Sequence, residues 1–173
     1  MNWRQHFRTQ VDYQLWANQV LFESLSGLSA EALTRPEGLF FPSIHHTVDH
    51  MHVVADIWFA RLEGRHIEAD FSHIRTPDWH TLKHDLQQSI RQLGHWLESR
   101  DEALFGQTIT YRRLGGAQSA TTASDILTHL MGHFSHHRGQ ISAVATRLGA
   151  PAPEMDYLYF LRDLEAAETR MRG

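Results

Sequence analysis

The sequence predicts an all-α fold, a bundle of four long helices, and three observations predict it. Apolar residues recur at close to 3.6-residue spacing in four long segments. Capping residues or proline stand at the start of several of these segments, and Gly27, Gly64 and Gly149 close three of the four. Strand character is confined to one short patch near residue 110. Apolar residues make up 42% and charged residues 21% of the 173, a globular composition that fits one domain over 1–173.

Each element has its own signal. Phe7, Val11, Leu15, Val20, Leu21 and Leu25 mark a helix from residue 2 to about 26, ended by Ser26-Gly27. Ser29-Ala30-Glu31-Ala32 reads as one helical turn that stops before Pro36. Ser43 is a natural N-cap for a helix from Ile44 to about Leu62, set by Val48, Met51, Val54 or Ala55, Trp58 and Leu62. Residues 65 to 77 are irregular. Thr76-Pro77-Asp78 then opens a helix to about Ser99, with the proline expected in its first turn and Leu82, Leu86, Ile90, Leu93 and Leu97 on its apolar face. Thr108-Ile109-Thr110-Tyr111 followed by Gly115-Gly116 suits one small β-hairpin. Thr122-Ala123-Ser124-Asp125 resembles a capping box for a helix running to Leu148. Gly149-Ala150-Pro151 stops it, and a short last helix is expected from about Asp156 to Arg170.

Composition removes several function classes. No run of 18 apolar residues exists, and the N-terminal segment has no apolar signal-peptide core, so a cytoplasmic protein without membrane contact is expected. The net charge is −4, with Lys83 as the sole lysine and scattered arginines, so no basic block argues for nucleic acid. There is no cysteine, which excludes disulfides, Cys-rich zinc knuckles and a cysteine nucleophile. A metal must be held by His, Asp or Glu, and any thiol in the chemistry belongs to the substrate.

The chemistry-bearing cluster is His133-Phe134-Ser135-His136-His137-Arg138-Gly139-Gln140. His133 and His137 are four residues apart, so on a helix their imidazoles share a face one turn apart. His50, in Ser43-Ile44-His45-His46-Thr47-Val48-Asp49-His50, is available as a third ligand. Fourteen histidines in the chain make some close pairs expected by chance, and half-buried structural histidines are common. Three imidazoles with an open position define a catalytic rather than a structural metal. Ligand histidines must be neutral, so affinity is expected to fall as pH drops through about 6.5. Phe134 stands where a zinc peptidase has its glutamate, which argues against peptidase chemistry.

Several fragments together resemble the DinB family, the DinB/YfiT-like metalloenzymes. They are Tyr13-Gln14-Leu15-Trp16-Ala17-Asn18, Ser43 to His50 with Ala55-Asp56 and Trp58, His133 to Gln140, and Asp156-Tyr157-Leu158-Tyr159-Phe160. They occur in the family's order over residues 13 to 160. The resemblance implies a DinB/YfiT-like four-helix core holding a divalent metal, nickel or zinc, on His50, His133 and His137. It also implies a small-molecule substrate. Some relatives transfer or isomerise with low-molecular-weight thiols such as bacillithiol or mycothiol, and the founding members are named for induction by DNA damage. Metal-assisted thiol transfer to an electrophile is therefore the leading expectation. A metal-dependent hydrolase and a non-catalytic, metal-binding stress-response module are the alternatives.

Neighbouring residues complete the reading. His129, one turn before His133, is the candidate general base. His46, four residues before His50, competes as a ligand. Asp49 and Asp56 are candidates to orient the imidazoles, Asp56 more readily as a partly solvated carboxylate. His136 fits a contact behind the ligands or at an interface. Arg138 reads as a structural or interface residue before a substrate anchor, and Trp16 as core before cofactor wall. Gly139 suggests close approach of another helix. Trp3, Phe7 and Tyr157-Leu158-Tyr159-Phe160 supply apolar surface for a homodimer, or else complete the monomer core.

Overall fold

The computed structural model describes residues 2–38 and 40–172, without the side chains of residues 171 and 172. Its elements run α1 (Trp3–Ser24), a 3-10 turn (Leu25–Gly27), α2 (Ala30–Thr34), α3 (Ile44–Leu62), α4 (Trp79–Glu98), a second 3-10 turn (Glu102–Gly106), β1 (Thr108–Arg112), β2 (Gln118–Thr122), α5 (Ala123–Arg147) and α6 (Tyr157–Arg172). Helix α1 packs on α4 and α5, and α3 packs on the same two. The four long helices thus close into a ring with α1 and α3 on one diagonal.

Local chemistry fixes the helix starts. Asn2 Oδ1 accepts the Gln5 N–H at 2.9 Å, and the Glu102 carboxylate accepts the Trp3 and Arg4 N–H groups at 3.0 Å each, so the first turn of α1 is covered from two sides. Ser43 Oγ accepts the His46 N–H at 3.1 Å and starts α3. Asp78 Oδ1 accepts the Thr81 N–H at 2.7 Å, which makes Asp78 the N-cap of α4. Pro77 therefore precedes the helix instead of occupying its first turn. Thr122 Oγ1 accepts the Asp125 N–H at 3.2 Å and donates to Asp125 Oδ2 at 2.6 Å, as the capping signal anticipates.

The core follows the predicted periodicity. Phe7, Val11 and Leu21 meet Ile44, Val48 and Met51, Leu82 to Leu97 of α4, and Ile126, Leu130, Phe134 and Ile141 of α5. Each such side chain contributes about 1.5–3 kcal/mol on burial. Phe7 stacks on Phe105 and Phe160 is 3% exposed, so these two aromatics complete the monomer core. Trp16 leaves the bundle axis: it packs between Tyr13 and Phe160 and donates its indole N–H to Asp163 at 3.0 Å, tying α6 to α1.

The β1–β2 hairpin is antiparallel, with Thr108 opposite Thr122 and Arg112 opposite Gln118. Gly115 and Gly116 turn it at φ 90° and 89°, a region open to glycine. A Cβ at Gly139 would meet nothing within 4 Å among the described residues, so none of their helices approaches there. The close approach is at Gly94 of α4, where a Cβ would lie 3.1 Å from Val11 Cγ1 and against the Arg8 guanidinium. Among the described residues, no helix is long and apolar enough to cross a membrane.

Candidate metal centre

Helix α3 presents His50 and α5 presents His133 and His137, one turn apart. One ring nitrogen from each of the three lies within 4.8 Å of the other two. Their ring centroids are 5.0 Å (His50–His133), 4.8 Å (His50–His137) and 4.4 Å (His133–His137) apart. His50 and His137 are buried and His133 is half-buried.

Burial is the main electrostatic fact of the site. It disfavours the charged imidazolium, and the neighbouring histidines add to the effect. Together these push His50 and His133 down to about 3, and His137 below its ordinary value. The folded site therefore keeps neutral, lone-pair-bearing rings well below pH 6.5. Proton competition for a metal at His50 and His133 moves down in pH with those values.

The nitrogens are also poised. His137 Nδ1 donates to Gln140 Oε1 at 2.8 Å, which leaves Nε2 with a free lone pair. His50 Nδ1 and His133 Nε2 are buried and meet no hydrogen-bond partner among the described residues. Buried polar atoms left unpaired are costly, and a shared ion would satisfy them. The donor set, three imidazoles without thiolate or carboxylate, fits zinc, nickel or another borderline divalent metal.

Two loops wall the site. Phe41 stacks on the His50 ring at 3.9 Å, and Phe71 tilts against it at 5.0 Å. Phe71 sits in the 63–78 connection, and the crowded polar residues of α3 hold that connection down. His46 Nε2 pairs with the Phe71 carbonyl at 3.3 Å and His45 Nε2 with the Thr76 carbonyl at 2.9 Å. Asp49 accepts the Arg75 and Thr76 N–H groups at 3.0 and 2.8 Å. Arg75 Nη2 meets Asp56 Oδ2 and His52 Nδ1 at 2.8 Å each, and Ser89 donates to Asp56 at 2.7 Å.

This geometry sorts the predicted residues. His50, His133 and His137 converge. His46 fastens the loop and is outside the convergent group. Asp49 and Asp56 hold Arg75 and its backbone and do not orient the imidazoles; Gln140 orients His137 instead. His129 is exposed, its ring 5.8 Å from His133 and edge-on to Trp58 at 5.2 Å. His136 is exposed and edge-on to His137 at 5.0 Å. Arg138 is 2% exposed and donates to Asn18 Oδ1 and Ser135 Oγ at 3.1 and 3.2 Å, with Tyr13 beneath its guanidinium, so it joins α5 to α1. Sequence reasoning missed Gln140, although an amide one turn past His137 was a readable signal. It also missed Phe41 and Phe71, for which loop sequence offers none.

Fold and site together define a four-helix-bundle protein with a three-histidine cluster suited to a divalent metal. Comparison with known proteins makes this specific: the chain belongs to the DinB family, whose model matches residues 3–171. Protein DinB of Bacillus subtilis (strain 168) is 23% identical over 156 residues, covering 87% of this chain and 90% of that protein. Among solved structures, the chain is similar to YfiT from Bacillus subtilis, described as a probable metal-dependent hydrolase with an unusual four-helix bundle topology. That likeness has a TM-score of 0.70 at 14% identity, over 85% of this chain and 90% of YfiT. A DinB-like protein from Bacillus cereus ATCC 10987 superposes with a TM-score of 0.69 at 16% identity, over 87% and 95% of the two chains.

Proposed function

We propose that this protein is a divalent-metal-dependent enzyme that activates a small nucleophile for attack on an electrophilic small molecule. His50, His133 and His137 are the ligands, and nickel or zinc is the metal. The observation behind this is the set of three convergent imidazoles held neutral by burial, two of them with orphaned buried nitrogens. Bound there, a divalent ion supplies Lewis acidity, lowering the pKa of water toward about 7 and deprotonating a thiol outright.

The nucleophile we assign is a low-molecular-weight thiol. Among the described residues no carboxylate joins the histidine cluster, and the nearby Asp49 and Asp56 are committed to the 63–78 connection. Such a site has no Asp or Glu base for water, whereas a thiol of ordinary pKa about 8.5 needs little help to ionise. We assign His129, exposed with its ring 5.8 Å from that of His133, the transfer of the released proton to solvent. Phe41 and Phe71 shield one side of His50 from water. Hydrolysis is the second reading, favoured by the likeness to YfiT. A homodimer in the cytoplasm completes the proposal; Leu158 and Leu164 of α6, 62% and 42% exposed, give the dimer an apolar surface.

The test begins with metal analysis of purified protein. Cobalt-substituted protein is then mixed separately with bacillithiol, mycothiol, glutathione and cysteine, each with and without a model electrophile. A thiolate-to-cobalt charge-transfer band with turnover, both lost in His50→Ala, supports thiol transfer. No band, with hydrolysis of an activated ester or amide, establishes the second reading. Metal binding without either activity leaves a binding module.

A further inference from the structure

A second feature lies three turns along α3 from His50. Arg61 is 8% exposed, and its guanidinium sits over the rings of Trp58 and Tyr111 at 4.4 and 4.6 Å. Its Nη2 donates to the Arg112 carbonyl at 3.0 Å, while Nε is buried without a partner among the described residues. Among the described residues no carboxylate pairs with Arg61. A buried guanidinium without a counter-charge is expensive, and burial here depresses its basicity. Arg138 is also buried without a carboxylate among the described residues, but neutral side-chain oxygens accept from both of its Nη atoms.

Arg61 lines a cavity of about 280 Å³ with Trp58, Tyr111, Arg113 and Leu114. Arg113 brings a second guanidinium, on the hairpin turn, and it too has no carboxylate partner among the described residues. The cavity is therefore doubly cationic and aromatic-walled. Ring contacts connect it to the metal centre: Trp58 meets His129 at 5.2 Å, and His129 meets His133 at 5.8 Å. Eleven residues separate His50 from Arg61, which places them about 20° apart on one helix face and about 16 Å apart along it.

We infer that the Arg61–Arg113 cavity binds the anionic end, a carboxylate or a phosphate, of an elongated substrate or co-substrate whose other end reaches the histidine cluster. This rests on the proposed metal-dependent function for the word substrate, while the anion site itself stands on Arg61, Arg113 and Trp58. Arginine pairs with either oxyanion through charge-assisted hydrogen bonds, and Arg61 Nη1 and the Arg113 guanidinium supply them, Nη2 being held by the Arg112 carbonyl.

The test uses metal-free full-length protein, so that it does not depend on metal loading. Sodium phosphate and sodium succinate are titrated separately against sodium chloride at matched ionic strength. The Arg61 Nε–H and Trp58 Nε1–H resonances are followed by NMR. At least one anion should move both resonances saturably, and which one does so separates phosphate from carboxylate. Arg113→Gln, on an exposed turn, should weaken binding about tenfold while keeping the wild-type melting temperature. Arg61→Lys, which retains the charge and loses the fork, should weaken it as well. No saturable shift with either anion overturns the inference, as does binding that Arg113→Gln leaves unchanged. Protein that binds the anion but takes up no metal overturns the proposed function alone; protein that takes up metal but binds neither anion overturns this inference alone.

Discussion

The low basicity of the buried histidines makes the metal-free protein acid-sensitive by a calculable amount. In the unfolded chain His50 and His133 have the ordinary value of 6.5, and in the folded protein about 3. Above pH 6.5 neither state binds the protons and the two rings contribute nothing to the balance. Below it the unfolded chain gains protons that the folded protein refuses, so stability falls as pH drops from 6.5 toward 3. At pH 5 each ring disfavours the fold by about 2 kcal/mol. Solvent screening at half-buried His133 trims the pair to about 3 kcal/mol. For a chain of this size that is a loss of about 6–12 °C in melting temperature. The assay is thermal unfolding of metal-stripped protein at pH 7 and pH 5, comparing wild type with His50→Leu/His133→Leu. Other titrating groups are common to both, so the wild type should lose about 6–12 °C more than the variant. Equal losses in the two proteins would refute the argument that burial holds these rings neutral.

His137→Ala should abolish stoichiometric metal, measured by elemental analysis after dialysis at neutral pH; full metal content would return His46, His129 or His136 to consideration. Gln140→Leu, which frees His137 Nδ1, should lower metal affinity about 10–100-fold by competition titration while leaving the fold intact. Asp49→Ala removes the acceptor of two backbone N–H groups, so urea unfolding should show a loss of about 2–4 kcal/mol. Light scattering should return twice the 20.0 kDa chain mass across micromolar concentrations, and a monomer mass would discard the dimer.

The sequence by itself determined the helices, because apolar spacing and capping residues act within a few residues of one another. Ser43, Thr122 and the apolar faces of α3, α4 and α5 stand where the pattern put them. It also picked out His133 and His137, since i,i+4 spacing on a helix is itself a geometry, and family resemblance added His50. Tertiary structure decided the rest. Whether His50 meets a pair more than 80 residues away depends on the packing of α3 on α5. His46 competes as a ligand in the sequence, with His45 and His52 crowding the same helix, yet only the path of the 63–78 connection assigns all three to holding that loop in place. The same holds for Arg61, which in the sequence is one arginine among several. It is burial between Trp58 and Tyr111, without a carboxylate partner among the described residues, that gives it a distinct physical character, because the cost of a charge is set by its surroundings and not by its residue type.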